Sequence, residues 1–98
     1  VQRTIGFFDP DEFIASMHLG IAKVHLEAGD HDTADVHLKS LLGKFPESKM
    51  IPEAIYFRGV NLYKWKDNPS HLKEAYGTLL EKYPDNTWTK RAYPYRLI

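Results

Sequence analysis

Five histidines are many for a chain of 98 residues, and two of them, His18 and His25, stand seven positions apart, which places both on one face of a helix. Imidazoles so placed could ligate a metal or exchange protons near neutral pH. His37 follows on the next element and could join them. A zinc centre needs three or four ligands in tetrahedral array, and the chain has neither an HxxxH nor an HExxH spacing. The expectation is therefore no metal site, with half-buried or surface histidines that respond to pH. A small metal-dependent enzyme using these histidines is the alternative reading. His31 and His71, close to helix starts, are expected to contact solvent. Asp9, Asp11 and Glu12, and again Asp30, Asp32 and Asp35, form acidic groups that could attract calcium, but their spacing does not follow the EF-hand ligand order. Both groups precede or open helices, where negative charge is favoured and a carboxylate can cap. The absence of cysteine excludes disulfides, thiolate ligands and thiol nucleophiles. No Ser-His-Asp pattern and no phosphate-cradling glycine loop is present. No catalytic residue and no cofactor is assigned, and the chain reads as a non-enzyme.

The remaining composition fits one small domain. Apolar residues make up 43% and aromatic residues 13% of the chain, enough for a modest core. The formal net charge is zero, which removes the broad positive footprint of a nucleic-acid or anionic-membrane binder. The balance is uneven: residues 1–46 hold four basic against seven acidic residues, and residues 47–98 nine against six. End-to-end self-association, and hence a homodimer, is one consequence of such asymmetry. No apolar run reaches the roughly 18 residues of a membrane span, so membrane insertion is not expected. The chain opens at Val1 without an initiator Met or a leader pattern, and reads as a piece of something longer.

Proline and glycine divide the chain into helices. Asp9 as cap, Pro10 in the first turn and Glu12 three residues after the cap predict a helix start at Pro10. Phe13, Ile14, Met17, Ile21, Val24 and Ala28 recur at steps of three and four, and Ala15, Leu19, Ala22 and Leu26 fill a second apolar side. A helix buried on two faces is expected, stopped by Gly29-Asp30. A second, one-sided helix is expected over 31–44, with Ala34, Leu38, Leu41, Leu42 and Phe45 on its apolar stripe and Asp32, Asp35, Lys39 and Lys44 opposite. Pro52 opens a third helix that ends near Trp65 or Lys66. Asn68 as cap and Pro69 at the first position open a fourth, carrying Leu72, Tyr76, Leu79, Leu80 and Tyr83. Asp85-Asn86-Thr87 caps a short last helix that Pro94 ends. Thr4-Ile5-Gly6-Phe7-Phe8 favours an extended conformation. That segment is expected to fold back over an open helix face or to pair with another copy.

The chain also repeats itself. Leu41-Leu42-Gly43-Lys44-Phe45-Pro46-Glu47 returns 38 residues later as Leu79-Leu80-Glu81-Lys82-Tyr83-Pro84-Asp85, a period in the range of helical repeat proteins. With one further residue of offset, Ala15, Gly20 and Ile21 align with Ala54, Gly59 and Val60. A glycine inside a helix costs about 1 kcal/mol relative to alanine, so both glycines are expected where two helices approach closely.

Ala22, Gly29-Asp30, Ala34, Leu38, Leu41 and Pro46 resemble the tetratricopeptide pattern, and Gly59, Tyr76, Leu79 and Pro84 keep its frame in the second half. Leu72 stands where that pattern has its packing Ala, and Lys66-Asp67-Asn68-Pro69 replaces the turn Gly-Asp. The likeness covers about residues 13–92. It implies an all-α fold of two tandem antiparallel helix pairs plus a short C-terminal capping helix, with residues 10–98 as the tetratricopeptide-like domain and residues 1–9 as a linker or the remnant of an upstream domain. Phe45-Pro46-Glu47-Ser48, Pro52-Glu53-Ala54-Ile55-Tyr56, Gly59-Val60, Tyr63-Lys64 and Trp88-Thr89-Lys90-Arg91-Ala92 further resemble the helical extension that follows a thioredoxin domain in certain bacterial proteins. Gly6-Phe7-Phe8-Asp9-Pro10-Asp11-Glu12-Phe13 looks like the closing strand and final helix of that domain. This likeness implies a bacterial, thioredoxin-associated parent in the cytoplasm or periplasm, of which this chain is the non-catalytic part that docks a protein or its own upstream domain. A free-standing adaptor of envelope assembly complexes, whose repeat endings are also similar, is the other binding-module reading. By the resemblance, inner-helix positions face a concave surface, which makes Tyr56, Val60, Tyr63 and Lys64, with Met17, Ile21 and Val24, the candidate partner-binding residues. Trp65 and Trp88 are expected to cover core edges, and Asn61, if buried, needs a hydrogen-bond partner.

Overall fold

A computed structural model describes residues 10–97 of the chain. The expectations for Asp9 and for residues 1–8 fall outside the described residues. The order is α1 (Pro10–Glu27), α2 (His31–Lys44), α3 (Ile51–Lys66), α4 (Ser70–Lys82) and α5 (Thr87–Arg91), followed by a 3₁₀ turn over Tyr93–Leu97. The domain is all-α: α1 pairs with α2, α3 pairs with α4, and α2 and α3 join the two hairpins.

Local chemistry sets each boundary. Gly29 takes a left-handed φ of 85° after α1. The Asp30 N–H then donates to the His25 carbonyl (2.8 Å) and the Gly29 N–H to that of Leu26 (3.2 Å), the double bond of a Schellman turn. Asp30 next caps α2 by accepting from the Thr33 N–H. The two repeated endings share one backbone geometry. Phe45 and Tyr83 have φ near −129° and −138°, and their N–H groups donate to Leu41 and Leu79. Ser48 and Asn86 then close equivalent turns on the Phe45 and Tyr83 carbonyls.

Helix α3 begins at Ile51 with Pro52 in its first turn, as expected. Helix α4 runs from Ser70 with Pro69 in the flanking position, and Asn68 supplies the capping bond expected of it by accepting from the Ser70 N–H (3.0 Å). Pro94 does not end the chain's helical course, because the tighter turn over Tyr93–Leu97 carries it near the start, where a missing N–H costs nothing.

The core lies between the hairpins. Ala15, Leu19 and Ala22 of α1 meet Leu38 and Leu41 of α2 and Ile51 and Ala54 of α3. Leu38, Leu41 and Leu79 are fully buried, each contributing about 1.5–3 kcal/mol through burial. A Cβ on Gly59 would stand 2.6 Å from the Ala75 Cβ, so α3 and α4 touch there at backbone distance. Gly20 corrects the parallel expectation: nothing lies within 4 Å of the Cβ it lacks. Leu80, expected on the buried stripe of α4, is 48% exposed. Asp35, expected on the solvent side of α2, is buried, because Arg58 of α3 reaches across to donate its Nε–H to Oδ1 at 2.9 Å and Lys39 stands 3.7 Å from Oδ2.

Candidate docking surface

Helix α1 carries two apolar stripes and buries one. Ala15, Leu19, Ala22 and Leu26 face the core. Ile14, Met17, Ile21 and Val24, spaced by three, four and three residues, are between 37% and 65% exposed. The expectation of a helix buried on two faces is therefore corrected: within the described residues α1 is an end helix. Such alternation of three and four is the spacing of a helix-packing seam. Ser16 donates to the Phe13 carbonyl (2.8 Å) on the same helix. No described element lies over the outer stripe, because α2 and α3 take other flanks of α1. The α3 flank is marked by Lys23, which pairs with Glu53 and sets its ammonium 5.0 Å from the Phe57 ring centre.

The candidates on α3 have separate surroundings. Tyr56 is half-buried under the C-terminal turn: its hydroxyl lies 3.3 Å from that of Tyr95, and its ring packs on Tyr95, Trp88 and Phe57. Trp88 thus covers a core edge, while Trp65 is exposed and carries the Lys66 ammonium 4.0 Å from its ring centre. Val60 is half-buried, and Tyr63 and Lys64 are exposed. At about 100° per residue, Lys23 stands roughly a third of a turn from Val24 and further from Ile21. Met17, Ile21 and Val24 thus share one face of α1, away from the flank where Lys23 meets α3, and Tyr63 and Lys64 belong to α3. Ile14, which spacing groups with these three but which is not among the partner-binding candidates, is the fourth member of the exposed stripe.

The histidines converge as their spacing suggests. His18 and His37 bring their Nδ1 atoms to 3.0 Å, and the ring of His37 stacks on that of His25 with centroids 6.4 Å apart. His25 has a carboxylate partner in Asp30 at 3.2 Å. The His18 pKa is lowered from its ordinary value by partial burial first, then by the charges of His37 and Lys44. The Asp30 carboxyl is lowered chiefly by its hydrogen bond from Thr33. Among the described residues no group of three or more His, Asp or Glu side chains is arranged to hold a metal ion. His31 is not the solvent contact expected of it: its Nδ1–H donates to the Asn61 Oδ1 (2.7 Å), and the Asn61 amide donates to the His31 carbonyl (3.0 Å). Those two bonds satisfy a side chain with no exposed surface. His71 is half-buried beside Glu74 at 3.7 Å.

The concave features are shallow. A cleft of about 220 Å³ between α3 and α4, lined by Ile55, Arg58, Leu62, His71 and Glu74 among others, is below the roughly 300 Å³ at which small-molecule pockets begin. A wider hollow of about 440 Å³, bordered by Asp11, Glu12, Lys44 and Glu47, lies at the start of α1, where Glu12 accepts from the Lys49 N–H (3.0 Å). No described helix is long and apolar enough to cross a membrane. In comparison with known proteins, the chain matches no family model, no curated protein and no solved structure.

Proposed function

We propose that this domain is a docking module, the C-terminal non-catalytic part of a thioredoxin-like protein, and that the outer stripe of α1 packs against the upstream domain of the same polypeptide. The observation that carries this is the exposure of Ile14, Met17, Ile21 and Val24 on the first helix. Four large apolar side chains in one uncharged stripe mark a surface for packing rather than for solvent. The apolar run Thr4-Ile5-Gly6-Phe7-Phe8 directly precedes α1 in the sequence, so an upstream domain would be joined to the helix that carries that stripe. The resemblance of residues 6–13 to a closing strand and final helix supports an α/β domain as the occupant. Helix α1 would then serve both sides, its inner stripe closing the helical core and its outer stripe the upstream sheet.

The two methionines provide the test. Met17 is 49% exposed and Met50 is half-buried, and dilute peroxide oxidises methionine according to access. In the 98-residue chain Met17 is expected to oxidise faster than Met50, and in a polypeptide carrying the natural upstream region its rate falls at least tenfold while that of Met50 holds. Equal Met17 rates in both would overturn the proposal. Protection in the 98-residue chain that grows with protein concentration would assign the stripe to a second copy instead.

A further inference from the structure

We infer that His18 and His37 form an acid-sensitive latch between α1 and α2. Their Nδ1 atoms are 3.0 Å apart, on helices 19 positions apart in the chain. A neutral imidazole has one ring N–H and one ring acceptor, so the pair is satisfied when one ring presents Nδ1–H and the other a bare Nδ1. One added proton can sit on the outer Nε2 of the donor ring and leave that bond in place, but when both rings are protonated two N–H groups and two positive charges face each other.

The charges around the pair offer no relief. From α2, His18 is faced by His37 and by Lys44, both acting to push protons off it. On α1 itself the neighbouring histidine is His25, whose ring stacks on His37 and whose carboxylate partner, Asp30, lies beyond it in the turn. The carboxylate that α3 offers to α1, Glu53, is engaged by Lys23 on another flank. The Phe45 ring, centred 6.3 Å from that of His18, adds an apolar wall.

The sign follows from linkage. The folded chain holds His18 below its ordinary pKa of about 6.5, so the folded state binds fewer protons than the unfolded one. The stabilisation is complete above about pH 6.5 and is lost as pH falls through that value toward the lower folded pKa. Among the described residues α1 is an end helix that packs mainly on α2, with Ile51, Ala54 and Glu53 of α3 touching it along one flank, so the loss is expressed as local opening of α1 from α2. This inference does not depend on what covers the outer stripe.

The test uses the 98-residue chain. Its Tm is expected to fall between pH 7.5 and 5.0. His37→Gln, which keeps a polar partner for His18 without the second titrating ring, should fall by less than half as much, and His71→Gln by the full amount. In the unaltered chain, NMR titration of the imidazoles should place His18 below 6.5, and amide protection should drop first in α1 and α2. A His18 midpoint at or above the ordinary value, or equal falls in all three proteins, would overturn the latch. So would a rise in Tm on adding micromolar zinc or copper at pH 7.5, which would make the pair a chelate.

Discussion

Gly20 and Gly59 occupy aligned positions, yet the same substitution at each is expected to have opposite effects. At Gly59 a methyl group would overlap the Ala75 Cβ at 2.6 Å and crowd the His71 carbonyl at 3.2 Å. Both belong to a packed helix, and overpacking of that kind costs about 1–3 kcal/mol. At Gly20 nothing stands within 4 Å, so alanine contributes only its better helix propensity, a gain of up to about 1 kcal/mol. Urea unfolding should show Gly59→Ala destabilised and Gly20→Ala stabilised. A loss at Gly20 would mean that the 98-residue chain already packs something against that position. Asn61 gives a second residue-scale prediction. Its replacement by Leu removes both partners that His31 has there, the Oδ1 acceptor and the amide donor. The cost expected is about 1–3 kcal/mol, read as a lower urea midpoint at unchanged slope.

At the scale of elements, the two faces of α1 should respond in opposite ways. Leu19→Ala removes a buried side chain from the core and should cost about 2–5 kcal/mol. Val24→Lys changes a side chain that is 65% exposed and should stay within about 0.5 kcal/mol. If Val24→Lys is as costly as Leu19→Ala, the outer stripe is already covered in the 98-residue chain. This helix also shows where sequence reading stops. Both of its stripes have steps of three and four, so periodicity identifies the helix but not the side that α2 and α3 occupy. Boundaries were legible where a residue has one backbone use, as with Gly29 after α1 and the paired endings before Pro46 and Pro84. They were less so at Pro94, where a 3₁₀ turn carries the chain on past the expected stop. The shared face of His18 and His25 followed from a spacing of seven, whereas the approach of His37 depends on how α2 packs on α1. The burial of Asp35 did not, because Arg58 comes from another helix.

At the scale of the whole molecule, the chain closes on itself through an aromatic cluster that no local pattern announced. Tyr95 lies 39 positions after Tyr56, and the two rings stack with Trp88 alongside. Pro94 suggests a stop between them, and only the 3₁₀ turn, which lies against α4, brings the Tyr95 side chain back to α3. Burial, aided by the hydrogen bond that the Tyr95 hydroxyl donates to Tyr56, pushes the Tyr95 phenol up to about 12 from its usual 10.0. A phenol whose pKa is raised on folding stabilises the fold fully below its unfolded value, and that stabilisation is lost as pH climbs through the folded value. The wild-type chain should therefore lose stability relative to Tyr95→Phe as pH rises from 10.0 toward about 12. Below that window the two should differ only by the Tyr56–Tyr95 hydroxyl contact, a net effect of about 0.5–1.5 kcal/mol. Urea midpoints at intervals across pH 8 to 12, with Trp88 fluorescence as a local reporter, measure both regimes. Parallel curves throughout would mean that Tyr95 is not held against Tyr56 in solution, and the C-terminal turn would then leave that side of α3 open beside Tyr63 and Lys64.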